Sequence, residues 1–484
     1  MSEQVLQNTI QRCRERHIII PTYEQMRHPE TIPAKIQEKL KEFGLWDLNS
    51  LNLFRINWKN DVQTGGFGHV NYIEFPRELT GTKARVLALV GKYFPTGAHK
   101  VGATFGPLVS RLIRGEFDPT TQKAVWPSTG NYCRGGAYDS YLLACQAIAI
   151  LPEGMSRERF EWLEKVGAEI IATPGCESNV KEIYDKCWEL EKTRGDEVVV
   201  LNQFAEFANP AWHYHVTGAA IEDVLKTELG PKDRLAGVGL STGSAGTIAC
   251  ADYLRKAWPR MKVAASEAVQ CPTLLQNGYG GHRIEGIGDK HVPWVHNVKN
   301  TDVIAAIDDD DTVRLIRLFN EPAGHELLKK KGISQDFIDQ LKLIGISGVC
   351  NLLTSIKLAH WFEMGENDVV FTILTDSMEL YGSRLEEMTE GLGQYTMEQA
   401  AADFDRCLMG QKTDWMQELN YWDRKRIHNL KYFTWVEQQG KSVDELNAQW
   451  YDDDYWDNQF AETLKLDDEI RAFNEKTGVL KEYL

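Results

Sequence analysis

Arg85-Val-Leu-Ala-Leu-Val90, then Phe94-Pro-Thr-Gly-Ala-His-Lys100, then Val101–Ile113: an apolar run of strand length, a loop of turn-forming residues, and a segment with helical spacing. The same order returns down the chain. Ala124-Val-Trp126 precedes Pro127-Ser-Thr-Gly-Asn-Tyr132 and a helical stretch through Leu143, Ala147–Leu151 precedes Arg157–Val166, and Glu169–Ala172 precedes Ser178–Thr193. Leu235–Leu240 leads into Ser241-Thr-Gly-Ser-Ala-Gly-Thr247 and a helix to Trp258, with Lys262–Ala265 and Val369–Leu374 as further strands. Continuous apolar runs mark strands covered on both faces, and their alternation with helices predicts an α/β fold with mostly parallel sheets.

The 484 residues are 43% apolar and 26% charged, enough for several domains with real cores. Lys plus Arg number 54 against 70 Asp plus Glu, a net charge of −16 that repels phosphate backbones and anionic lipid. Neither nucleic acid nor membrane is an expected partner. The longest apolar stretch, around Tyr141–Leu151, is too short to span a bilayer, and Met1–Ile20 lacks the basic-then-apolar order of a signal peptide. Nine scattered cysteines without a C-x-x-C pair argue against a disulfide framework or a zinc ribbon, so a cytoplasmic location is expected. His213, His215, His282, His291 and His296 lack metal-ligand spacing, so no metal site is expected. Residues 389–484 carry five of the 14 tryptophans and little strand pattern. They read as a helical extension whose aromatics cover protein surface.

Ligands in such folds bind at the carboxyl ends of the strands, where three loops stand out. Lys100 ends its loop at a probable helix start, where the dipole and burial would lower an ammonium pKa toward that of a Schiff-base amine; alone it would read as a surface lysine. Gly243, Ser244, Ala245, Gly246 and Thr247 are small enough for backbone N–H groups to approach a phosphate, although a plain strand–helix turn reads the same way. Ser128, Thr129, Gly130 and Asn131 could hold a carboxylate or simply cap the next helix. Lysine, phosphate loop and carboxylate loop together suggest pyridoxal phosphate acting on a small amino acid.

Beyond those loops, the chain resembles fold-type II pyridoxal-phosphate enzymes, most closely the cysteine synthase and cystathionine β-synthase branch. The resemblance runs through Glu78-Leu-Thr-Gly-Thr-Lys-Ala-Arg85, Pro95-Thr-Gly-Ala-His-Lys100, Ser128-Thr-Gly-Asn131, Asn202-Gln-Phe204 with Ala208-Asn-Pro-Ala-Trp-His-Tyr214, Gly243–Thr247, His282-Arg-Ile-Glu-Gly-Ile-Gly288, Gly345-Ile-Ser-Gly-Val349 and Thr375-Asp-Ser-Met-Glu-Leu-Tyr381. It implies two three-layer αβα domains: a smaller mobile one over residues 81–200 and a larger cofactor-binding one over 201–388, with 1–80 packed on the core and 389–484 as the extension. It implies a homodimer. It also implies that Lys100 carries the cofactor and moves the Cα proton, that His99 reaches the phosphate, that Asn131 meets the ring hydroxyl, and that Ser128, Thr129, Gly130, Asn131 and Gln203 bind the substrate carboxylate.

Several residues depart from the branch. Ala-His-Lys resembles tryptophan synthase β chains, whose catalytic acid the 128–132 loop lacks. Tyr132 is expected to shape substrate choice and Arg134 to pair with a second acidic group, unless it is exposed; Cys133 reads as inert packing more readily than as a reactive thiol. Asp376, or Ser377 with a shift of one, falls where the branch meets the pyridine nitrogen, and an Asp there would strengthen the electron sink. The expected activity is a lyase reaction, α,β-elimination through an aminoacrylate. The alternatives are β-replacement of cysteine synthase type and a catalytically silent binding homologue.

Overall fold

Val86–Val90 is buried at every position, and a strand with no wet face needs covered neighbours on both sides. It finds them in the middle of a sheet. The computed structural model describes residues 2–484. Its strands are β1 (Tyr72–Phe75), β2 (Arg85–Val90), β3 (Lys123–Pro127), β4 (Gln146–Pro152), β5 (Glu169–Thr173), β6 (Val198–Val200), β7 (Arg234–Ser241), β8 (Lys262–Ala268), β9 (Val303–Ile307), β10 (Asp368–Leu374) and β11 (Met416–Glu418). Seven form one sheet in the order β1-β2-β10-β7-β8-β9-β11, parallel from β2 to β9 and antiparallel at both edges. The other four form an all-parallel sheet in the order β5-β4-β3-β6. Helices layer both, and Ile346–Trp361, buried over its first fourteen residues, runs against the centre of the larger sheet.

The fold is the α/β class expected, with two departures from the expected division. Arg85–Val90 belongs to the larger sheet, parallel to β10, so the smaller sheet is drawn from residues 123–200 rather than from 81 onward. The extension is not wholly helical either. Met416–Glu418 pairs antiparallel with Val303–Ala305 and covers what would be an open edge of β9.

The two chain ends are fastened together. In the helix Tyr455–Thr477, Asn474 accepts from the Ile20 N–H at 3.2 Å and donates to the Ile20 carbonyl at 2.8 Å, satisfying a buried backbone unit on both sides. Asp467 accepts from the N–H groups of Tyr23 and Glu24, and Arg14 donates to the carbonyls of Lys476 and Thr477. Trp435 and Trp456 are buried against the body and Trp450 within the extension, while Trp415 and Trp422 stay exposed. No single helix is long and apolar enough to cross a membrane among the described residues. Asn474→Ala would strand both polar groups of Ile20, and the expected loss is about 2 kcal/mol or more of unfolding free energy, read as a lower urea midpoint at unchanged slope.

Candidate active site

The three loops singled out in the sequence converge at the carboxyl ends of β2, β3 and β7. The Lys100 loop is pinned to the end of β10: the His99 N–H donates to the Thr375 carbonyl at 3.2 Å. At Gly91 a Cβ would stand 2.3 Å from that same carbonyl oxygen, so only glycine allows the two backbones to pass so closely. Lys100 opens the helix Lys100–Ile113, and its Nζ donates to Ser244 Oγ at 3.0 Å and to Gln203 Oε1 at 3.3 Å. Gln203 in turn donates to Ser128 Oγ at 3.4 Å, and Asn209 ties Ser244 to the Gln203 carbonyl. Lysine, phosphate loop and carboxylate loop are thus one hydrogen-bonded cluster.

Its electrostatics favour neutral nitrogen. Burial lowers the Lys100 pKa to about 8, with the charges of Asp289 and Glu177 pulling the other way. Burial, aided by Lys100, lowers His99 to about 3, so its imidazole is neutral. Both its ring nitrogens are buried without a hydrogen-bond partner. His99 and Lys100 line one cavity with Gly243–Thr247, Gly286, Asn351 and Thr375. Ala245 sits there at φ +59°, a left-handed turn that lays the loop's backbone along the cavity.

The carboxylate loop is shaped by its neighbours. Ser128 Oγ accepts from the Gly130 N–H at 3.1 Å, and the Thr129 hydroxyl donates to Glu177. Gly130 has φ +152°, and a Cβ there would lie 2.6 Å from Arg159 Nε. Asn131 is engaged at both ends, donating to Asp376 at 2.6 Å and accepting from Arg134 at 3.1 Å.

Three expectations change at this point, and one does not. Tyr132 turns away from the cavity into the core, edge-on to Trp126 with ring centroids 5.5 Å apart. Successive helical residues point about 100° apart, so the neighbour of a site residue need not face the site. Cys133 is buried and donates to the Gly130 carbonyl, with burial raising its thiol to about 12, which matches inert packing. Arg134 is neither exposed nor free: it holds Asn131 and the Thr96 carbonyl and stacks on Trp162. Asp376 is not among the residues lining the cavity shared by Lys100 and the phosphate loop. It is wholly buried, accepts from Asn131 and from the Tyr381 hydroxyl (2.7 Å), and lies 4.0 Å from Arg159. Ser377 has no side-chain hydrogen bond among the described residues.

The sequence reading missed a buried network across the seam between the two sheets. Arg159, from the smaller unit, donates to Glu285, to the Thr129 carbonyl and to the Tyr381 hydroxyl, and Glu285 also receives Arg384 at 2.6 Å. It also missed two acids. Glu177 and Asp289 are both buried, each with one oxygen lacking any partner. Burial raises Glu177 well above the usual carboxylate range and Asp289 to about 7, the latter held down by Lys100. An acid directly after the small-residue run Gly286-Ile-Gly288 was the one available signal for Asp289; Glu177 had none.

A family model described as "Pyridoxal-phosphate dependent enzyme" matches residues 68–326, just over half of the chain. The chain is 26% identical over 317 residues to cystathionine β-synthase of Saccharomyces cerevisiae, covering 64% of this chain and 59% of the yeast protein's length. It is 30% identical over 258 residues to cysteine synthase of Staphylococcus aureus, covering 53% of this chain and 74% of that one. Among solved structures, cysteine synthase of Entamoeba histolytica superposes with a TM-score of 0.57 at 21% identity, over 70% of this chain and 92% of that chain. A hydrogen sulfide-producing enzyme of Fusobacterium nucleatum superposes with a TM-score of 0.54 at 23% identity, over 64% and 95%. These last two likenesses are of fold.

The lowered Lys100 pKa has a consequence for stability. The fold disfavours the ammonium, so the unfolded chain binds more protons between pH about 8 and 10.5, and stability rises with pH across that window. Lys100→Met removes the slope. In protein free of bound cofactor, its stability advantage over wild type should be largest below pH 8 and shrink above it, by up to about 3 kcal/mol in denaturant titrations.

Proposed function

The chain belongs to the pyridoxal-phosphate dependent enzymes, in their cysteine synthase and cystathionine β-synthase branch, and from that premise we propose that it is a lyase removing a β-substituent from a small amino acid. The observation that carries the reading is the buried Lys100 amine, 3.0 Å from Ser244 in the small-residue loop and 3.3 Å from Gln203 beside the Ser128 loop. Such an amine, neutral in part at physiological pH, serves as both carbonyl-binding nucleophile and base.

The residues fit the cofactor. The amine to bind its aldehyde lines the cavity. So do the backbone of Gly243–Thr247 and the partnerless ring of His99, which offer donors to a phosphate. Bound pyridoxal phosphate supplies the electron sink that β-elimination and β-replacement both require. Everything else falls to the chain's own groups. Ser128, Thr129 and Gln203 hold the substrate carboxylate, with Glu177 orienting the Thr129 hydroxyl. Lys100 Nζ takes the Cα proton and holds it inside the buried cluster. Arg134 and Asp376 fix Asn131 beside them. Elimination therefore does not lean on Asp376 as the sequence suggested. A cytoplasmic homodimer is the setting the family resemblance supports.

The test is the visible absorbance of purified protein with pyridoxal phosphate, followed as serine, cysteine, O-acetylserine and diaminopropionate are added. Absorbance changes with release of 2-oxo acid are expected, and Lys100→Ala should lose both the retained cofactor band and turnover. Product that forms only when sulfide or a thiol is supplied would make the enzyme a β-replacement synthase instead.

A further inference from the structure

Asp289 has no part in the reaction as derived so far, yet its position is tightly fixed. The Gly288 N–H donates to the Thr242 carbonyl at 2.7 Å, the Gly288 carbonyl meets His282 Nε2 at 2.8 Å, and the Asp289 carbonyl accepts from the Thr273 hydroxyl at 3.0 Å. The loop thus runs beside the phosphate loop, where a Cβ on Gly243 would sit 2.8 Å from the Gly286 oxygen. Held there, the Asp289 side chain is 7% exposed and its Oδ2 touches no donor. A buried carboxyl without a hydrogen bond is costly in a resting fold. No arginine or lysine pairs with it. The ionisable groups around it are Lys100, Glu177, Tyr184 and Cys271, and Lys100 is the one cation among them.

Glu177 is less free. One of its oxygens is held by Thr129, and Arg159 stabilises its charge. It also lines a second cavity with Met155, Cys176, His282, Glu285 and Met388, at the seam between the two sheets. A substrate held by its carboxylate at Ser128 and Thr129, its amine passed to the cofactor that Lys100 releases, has one arm left, and the unpartnered acid whose charge acts on Lys100 is Asp289.

We propose that Asp289 is a second acid–base group of the elimination, protonating the departing β-substituent, and that the substrate is a β-hydroxy or β-thiol amino acid. This rests on the elimination reading above. Lys100 takes the Cα proton; the Cβ–O or Cβ–S bond breaks with its electron pair on the heteroatom; and the Asp289 proton joins that atom, releasing water or hydrogen sulfide. Asp289 is left as carboxylate, and the proton gained by Lys100 restores it through solvent at the end of the cycle. Hydroxide and hydrosulfide are poor leaving groups that need this proton, whereas acetate or chloride leaves without it. Burial, which keeps Asp289 protonated up to about pH 7, suits an acid in waiting.

The test compares holoenzyme and Asp289→Asn on serine, cysteine and 3-chloroalanine by release of 2-oxo acid. Expected are a fall in kcat/KM of about 100-fold or more on serine and cysteine, and a change of less than about 3-fold on 3-chloroalanine. Equal losses on all three, or no loss on any, overturn the proposal. A readout independent of turnover is the infrared carbonyl band of a protonated carboxyl, expected to titrate near pH 7 in wild type and to be missing in Asp289→Asn; a spectrum unchanged by the substitution overturns it too. Wild-type protein that releases no 2-oxo acid even from 3-chloroalanine overturns the elimination reading, and this proposal with it.

Discussion

Arg159 is a guanidinium with no exposure to solvent, and both of its terminal nitrogens reach acceptors across the seam between the two sheets. Its partners Glu285 and Tyr381 come from the larger unit, and it presses on Gly130 and the Thr129 carbonyl of the smaller one. A buried pair of this kind adds little net stability, but removing one partner leaves a charge stranded in a medium that cannot solvate it. Its effect is on specificity: one relative placement of the two sheets satisfies Arg159, and that placement brings Ser128 and Thr129 opposite Lys100 and Ser244. Arg134 and Asp376 extend the same logic to Asn131, whose amide has no freedom left.

Within that frame the larger sheet supplies the fixed half of the site. The close passage of Gly91 against Thr375 sets where the Lys100 helix begins, and the turn through Ala245 sets the opposite wall. A π-helical turn at His213–Thr217 sits behind His99, with the two imidazoles edge to face at 5.0 Å. Irregular backbone thus gathers around the cavity, while the strands leading into it are regular.

What the sequence made legible follows from this. Strand–loop–helix order and small-residue loops announce backbone geometry, so Lys100, Ser128 and the 243–247 loop could be named from local pattern, while Gln203 came only from the family resemblance. β9, β6, β1 and β11 went unread: the first is a plain apolar run that was not singled out, and the others are three or four residues long, with β6 and β11 owing their pairing to strands distant in the chain. Glu177, Asp289 and the Arg159 network were hidden for a different reason. A lone acid or arginine has no period, and its importance arises only when loops more than a hundred residues apart exclude water from it together. Tyr132 was the reverse case, adjacent to the site in sequence but rotated out of it by the helix.

The extension beyond residue 389 also reaches this chemistry. Lys431 is fully buried, its ammonium donating to the carbonyls of Trp294 and His296 and to Gln449, while Trp435 donates to the carbonyl of Val292. These acceptors begin three residues after Asp289. The segment that follows this acid is therefore held in part by the far end of the polypeptide. In the language of amide hydrogen exchange, residues 292–296 would be expected to open together with the tryptophan-rich helices that hold them. A family-length core cut free of its extension would keep every residue of the cofactor cavity and still lose the anchorage beside Asp289.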